Sequence, residues 1–274
     1  STQSTGGQII NECLILKEQY YRASAFEIRE DFKSVIALNL RCVSKCMFNS
    51  AFNLETVIMP EAVGIYDSYP CKEGIFAPFT NTNLQNCYFP KLVWVGSWAF
   101  ENRSIYELNS DNFPNLEIIG EGGFSKCPIT SLELPKLSNI GKFGFEECFF
   151  AQVNLSELQS VQDGAFQKCR YLQQFSAPQL KEMGKCYFSK CKRLNSINFN
   201  LKTVQFTCSE CGECQLCKGD LRNCLWRGYA NKLRDVLQTN QKLQIRSTNQ
   251  QRYMQKIMEL NFRINDEVIE LAYE

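Results

Sequence analysis

A phenylalanine returns at Phe100, Phe124, Phe145, Phe166 and Phe188, at intervals of 24, 21, 21 and 22 residues. So regular a recurrence leaves few folds open. A fixed period of this order marks stacked structural units, each too small to hide its own apolar face and each completed by its neighbours. The same small code fills each interval. A Cys follows three residues after the Phe, an apolar residue about six after, and apolar residues stand at the third-last and last places before the next Pro. Phe166 shows it with Cys169, Leu172, Phe175, Ala177 and Pro178. Upstream, Phe48 keeps the frame with Ala51 at the Cys place, so the frame survives without cysteine. Eight units are expected, marked by Phe26, Phe48, Phe76, Phe100, Phe124, Phe145, Phe166 and Phe188.

Within a unit, Ser131-Leu-Glu-Leu134 and Ser196-Ile-Asn-Phe199 alternate polar with apolar, the pattern of a short strand with one buried face. Pro60, Pro90, Pro114, Pro135 and Pro178 would close such strands where no ladder donor is needed. Gly120, Gly141 and Gly184 follow the second apolar pair and suit a turn with positive φ. About six extra residues between Tyr66 and Gly74 interrupt the period.

The repeated Pro-x-Leu-x-x-Ile-Gly half and Phe-x-x-Cys half, clearest over 115–200, resemble the BspA-like leucine-rich repeats; the match is weak over 26–114 and absent after about 204. The resemblance implies a mainly β repeat solenoid of leucine-rich-repeat type, right-handed and curved, that binds proteins or surfaces and carries no family-wide catalytic residue. The expected organisation is an N-terminal cap or leader-proximal segment at 1–19, the solenoid over 20–206, a cysteine-rich junction at 207–227 and a helical tail over 228–274. In that tail Tyr229, Leu233, Val236, Leu243, Tyr253, Ile257, Leu260, Ile264 and Leu271 keep a heptad-like frame without Gly or Pro. Such a tail could pair two chains or fold back on the last unit.

Fifteen cysteines among 274 residues invite a chemical explanation. Cys127, Cys148, Cys169 and Cys191 occupy one repeat place, where Ala51 substitutes, so they are expected as buried small residues, not as a disulfide or metal ladder. Cys208, Cys211, Cys214 and Cys217 fall outside the repeat at a spacing that thiolate metal sites use, and a structural zinc is expected there. A disulfide cap and a thiol-redox centre at Cys208–Cys217 are the alternatives, because the run matches neither ferredoxin nor paired-CxxC zinc templates.

The chain has no histidine, which removes Ser-His and Cys-His nucleophile pairs, and no Gly-rich phosphate loop. An enzyme is not expected. A formal charge of +1 gives no global attraction to nucleic acid, and no apolar run is long enough to span a membrane. The expected function is therefore a non-enzymatic protein–protein interaction scaffold or adhesin-like binding protein, with an unidentified protein partner and a homo-oligomer through the C-terminal helix as a further expectation. The partner-binding candidates are the outward alternates Ser131, Glu133, Gln152, Asn154, Gln174, Ser176, Ser196 and Asn198, with Tyr66 and Tyr69 of the insertion. An odd cysteine count points to reduced thiols inside a cell; the cell surface stays open, because the chain does not start with Met and a leader could have preceded it.

Overall fold

The computed structural model describes residues 7–199, apart from positions 68, 72–73, 101–104, 185 and 195. Each rung of the chain lays down two short strands, and each strand pairs in parallel with its counterpart one rung away. The first strands form a column through Cys13–Leu16, Ser34–Ile36, Thr56–Ile58 and Asn86–Tyr88, continued by the pair Glu107–Leu108 and Ser131–Leu132 and the trio Gln152–Asn154, Gln174–Ser176 and Ser196–Asn198. The second strands make a seven-stranded parallel sheet from Cys42–Val43 through Gly64–Ile65, Trp94–Val95, Ile118–Ile119, Asn139–Ile140 and Ser160–Val161 to Glu182–Met183. Among the described residues there is no helix. The cysteine-rich junction expected at 207–227, with Cys208, Cys211, Cys214 and Cys217, and the helical tail expected over 228–274 lie outside them.

At the N-terminal end the ladder begins with an antiparallel hairpin, Gly7–Ile10 against Cys13–Leu16. Asn11 and Glu12 link the two strands with φ of 49° and 61°, the pair of positive values that a tight primed turn needs. Cys13–Leu16 then pairs in parallel with Ser34–Ile36 and is buried on both faces.

One continuous apolar core fills the space between the two columns and the turns. Leu132, Leu137, Ile140 and Phe145 all lie in it, as the repeat code requires. Its axis is a stack of phenylalanines. Neighbouring rings of Phe26, Phe48, Phe79, Phe100, Phe124, Phe145 and Phe166 lie 5.0–5.8 Å apart between centroids and within 20° of parallel. Phe188 ends the stack at 6.0 Å with a 34° tilt. Here the structure corrects the expected frame: the third marker is Phe79, not Phe76. The backbone of Phe76 belongs to an inserted antiparallel hairpin, Tyr69–Cys71 against Gly74–Phe76, and an insertion that long removes the spacing that could have told two phenylalanines three residues apart from each other.

In most rungs the turn carrying the Phe is held open by left-handed residues around it. Two positions after the Phe stand Ile28, Ser50, Asn81, Lys126, Glu147, Lys168 and Lys190, and two before it Ser24, Cys46, Trp98, Gly122, Phe143, Gly164 and Cys186, all with positive φ. A non-glycine residue there costs on the order of 1 kcal/mol. The return is a full set of inter-rung hydrogen bonds. In the Phe145 turn, the amides of Phe143, Phe145 and Glu147 donate to the carbonyls of Asp163, Ala165 and Gln167 of the next rung, so the bend itself is a ladder.

The expectation for Gly120, Gly141 and Gly184 was wrong in its cause, since positive-φ glycines are found at Gly122 and Gly164 and not at these three. They are glycines because the rungs touch. A Cβ on Gly120 would lie 2.8 Å from the backbone nitrogen of Ser97, one on Gly141 2.6 Å from the carbonyl carbon of Gly120, and one on Gly184 2.4 Å from the nitrogen of Asp163.

Candidate functional site

The outward positions of the first-strand column are in register over three rungs. Gln152 stands beside Gln174 and Gln174 beside Ser196; Asn154 stands beside Ser176 and Ser176 beside Asn198. Between these rows Val153, Phe175 and Ile197 point into the core and are buried. Gln152 and Asn154 are exposed, whereas Ser131, Glu133, Gln174, Ser176 and Asn198 are half-buried. Asn198 donates from Nδ2 to Ser176 Oγ at 3.1 Å, tying two rungs of the row together. Ser196 departs from the expected pattern: it is 6% exposed and offers no open surface.

The two tyrosines expected in a recognition loop separate. Tyr69 lies on the inserted hairpin. Tyr66 lies before the hairpin and is 46% exposed, with its ring edge-on to Trp94 at 5.5 Å. Trp94 in turn lies flat across Gly64, where a Cβ would meet the indole at about 2.1 Å, and its strand neighbour Ile118 is 46% exposed. An aromatic patch thus sits on the second sheet, which the sequence analysis did not single out.

A second overlooked feature is a corner ridge. Phe149, Tyr171 and Arg193 are spaced by 22 and 22 residues, and each stands three residues before the first outward position of a ladder strand, Gln152, Gln174 and Ser196. Phe149 and Tyr171 are 48% and 45% exposed and meet edge-to-face at 5.6 Å. The guanidinium of Arg193 lies over the Tyr171 ring at 5.2 Å. The interval was legible in the sequence, but attention to the buried Phe and Cys places hid it.

Cys13, Cys42, Cys148, Cys169 and Cys191 form no disulfide. The four repeat cysteines are buried, and each donates its Sγ–H to the carbonyl of a Phe marker one rung back: Cys127 to Phe100 at 2.8 Å, Cys148 to Phe124 at 3.4 Å, Cys169 to Phe145 and Cys191 to Phe166 at 3.1 Å. The cysteine is thus a small apolar filler whose weak donor reaches a turn carbonyl. Burial holds the thiols of Cys148 and Cys169 well above their ordinary pKa, and pushes those of Cys13 and Cys87 up to about 12. None of these four offers a thiolate near neutral pH, which is the form a nucleophile or metal ligand needs. Among the described residues no three acidic or cysteine side chains converge on a metal-sized site.

Electrostatics on the turns are largely local. Lys168 Nζ reaches Glu147 at 2.8 Å and Glu146 at 2.9 Å. The hydrogen bond to Glu147 is the main reason the Lys168 pKa is raised, and the same contact lowers that of Glu147.

A family model described as the BspA type leucine-rich repeat region matches in 6 copies, over residues 77–148 and 95–216. The chain belongs to the BspA-type leucine-rich repeat family. Solved structures similar to it include a leucine-rich repeat protein from Bacteroides ovatus, 18% identical with a TM-score of 0.44, the match covering 61% of this chain and 49% of that one. A leucine-rich repeat protein of T. pallidum is 16% identical with a TM-score of 0.43, covering 66% of this chain and 77% of that one. A leucine rich cell surface protein from Faecalibacterium prausnitzii is 17% identical with a TM-score of 0.34, covering 65% and 62%. The match therefore spans about half the length of the Bacteroides protein. No curated protein matches the chain. Among the described residues of this BspA-type chain, no helix is long and apolar enough to cross a membrane.

Proposed function

We propose that the chain is a non-enzymatic protein-binding scaffold whose contact surface is the outward face of the first-strand column over residues 131–198. The observation that supports this most directly is the registered row of short polar side chains, Gln152 beside Gln174 and Asn154 beside Ser176 beside Asn198. They ride on strands locked from below by Val153, Phe175 and Ile197, so a partner meets a backbone that is already ordered and only the side chains remain to be ordered on binding. A sequence without histidine and a set of deeply buried thiols give such a scaffold little with which to carry out acid–base or nucleophilic chemistry. A structural zinc at Cys208, Cys211, Cys214 and Cys217 would leave that role unchanged.

The test is cross-linking of the intact chain to its captured partner, followed by mass mapping, in parallel with a variant carrying Gln152→Lys, Asn154→Lys and Gln174→Lys. Cross-links concentrated over 131–198, and capture lost in the variant, are expected. Capture that persists in the variant with cross-links confined to other regions would refute the surface.

A further inference from the structure

We infer that the corner ridge Phe149–Tyr171–Arg193 is a docking site for an acidic peptide segment that also presents an apolar side chain. The inference rests on the scaffold function above and names the chemistry of its partner. The ridge adjoins the proposed ladder face, since each of its residues is three positions ahead of a ladder residue, so one partner could span both.

Charge supplies the first argument. Arg170 and Lys192 are exposed and adjoin the ridge residues Tyr171 and Arg193 in the chain, and Arg193 is itself exposed. Arg170 and Lys192 occupy equivalent places, 22 residues apart, on adjacent rungs. Rungs of a parallel ladder lie about 4.8 Å apart, so these two cations are carried on neighbouring backbones. Glu147, although paired with Lys168, also attracts Arg170, but the ion pairs of the described residues neutralise neither Lys192 nor Arg193. An incoming string of carboxylates would.

Arg193 narrows the ligand. Its guanidinium lies over the Tyr171 ring at 5.2 Å from the centroid, and none of the ion pairs of the described residues involves it. An unpaired guanidinium is suited to a planar carboxylate taken in two parallel hydrogen bonds. Tyr171 already has Arg193 over its ring and Phe149 against it, so it is a poor platform for stacking a nucleobase. Phe149 has no polar atom to offer. Its half-exposed ring is stabilised by covering it with an apolar side chain, which a peptide carries and a sulfated polysaccharide does not.

The experiment uses the full chain and a fluorescein-labelled nonapeptide alternating glutamate with leucine, read by anisotropy, against the same peptide with lysine for glutamate. Expected are saturable binding of the glutamate peptide only, a loss of about 10-fold or more in affinity for Arg193→Ala, no rescue by Arg193→Lys, and a loss of several-fold for Phe149→Ala. All three substitutions are at exposed positions, and circular dichroism checks that the fold is kept. Equal binding of the lysine peptide, indifference to Arg193→Ala, or a heparin or single-stranded DNA competitor that binds as tightly and ignores Phe149→Ala would each overturn the proposal. Failure here, with cross-links still concentrated on the ladder face, would remove the ridge and leave the scaffold standing.

Discussion

Alkali should unfold this solenoid through its buried thiols. The thiols of Cys13, Cys87, Cys148 and Cys169 are raised by burial from 9.0, the first two to about 12. A raised folded-state pKa means that the stability is fully present below the unfolded pKa, near 9, and is lost as pH climbs towards the folded value. In that window only the unfolded chain releases its protons. Each thiol then costs about 0.4 kcal/mol at pH 9 and about 1.4 kcal/mol at pH 10, taking the unfolded pKa as 9. Four thiols acting independently remove roughly 5 to 6 kcal/mol by pH 10, comparable with the entire stability of many domains. The assay is guanidinium unfolding under reductant at pH 7.5, 9 and 10, followed by circular dichroism, on the parent and on Cys148→Ala with Cys169→Ala. Alanine is a fair replacement because Ala51 fills the same place in an earlier rung. Lysine and tyrosine titration is common to both proteins and cancels. The variant should lose about 3 kcal/mol less stability between pH 7.5 and 10 than the parent does. Equal losses would show that the thiols are not the cause.

Phe145→Ala removes a ring stacked on both Phe124 and Phe166, and should cost about 3 to 5 kcal/mol in denaturant unfolding. Gly141→Ala places a Cβ 2.6 Å from the backbone of the previous rung and should lower the unfolding midpoint more than Gly164→Ala, whose added Cβ meets movable side chains of Phe143 and Gln167, although Gly164 also needs its positive φ. Native-state alkylation with mass mapping should modify the half-buried Cys42, Cys46 and Cys186 before Cys127, Cys148, Cys169 and Cys191, which should react only on unfolding. Removing the amine in Lys168→Met should move the Glu147 carboxyl back towards its usual range, visible by NMR titration, with little change in stability because that pair is partly exposed.

Most of the fold was legible because a repeat states the same packing rule many times. The Phe places from 100 to 188 and the inward alternates such as Val153, Phe175 and Ile197 fall where the pattern put them, and Pro60, Pro90, Pro135 and Pro178 follow closely on strands, whereas Pro114 stands six residues past the end of Glu107–Leu108. What failed shows what a pattern leaves out. Phe76 and Phe79 are alike to a period that an insertion has already broken, and only ring stacking distinguishes them. Gly120 and Gly141 look like turn glycines, yet the constraint on them comes from the backbone of another rung, which is remote in sequence. The alternation at Ser196 assigns the serine outward without revealing that it is covered. The candidate surface was half visible: the polar ladder follows from alternation, whereas the ridge depends on Phe149 meeting Tyr171 and Arg193 lying across it, contacts between side chains of three rungs.

The stack of rings also keeps count in an unusual unit. Phe48 and Phe79 are 31 residues apart in sequence, yet their rings are as close as those of Phe124 and Phe145, 21 residues apart, at 5.6 Å against 5.8 Å. Distance along the axis is therefore measured in turns and is indifferent to chain length between them. A lineage carrying this fold can lengthen a rung outward, as the hairpin at 69–76 does, without moving any ring of the stack, so new surface can be tried out while the inner ruler keeps its marks.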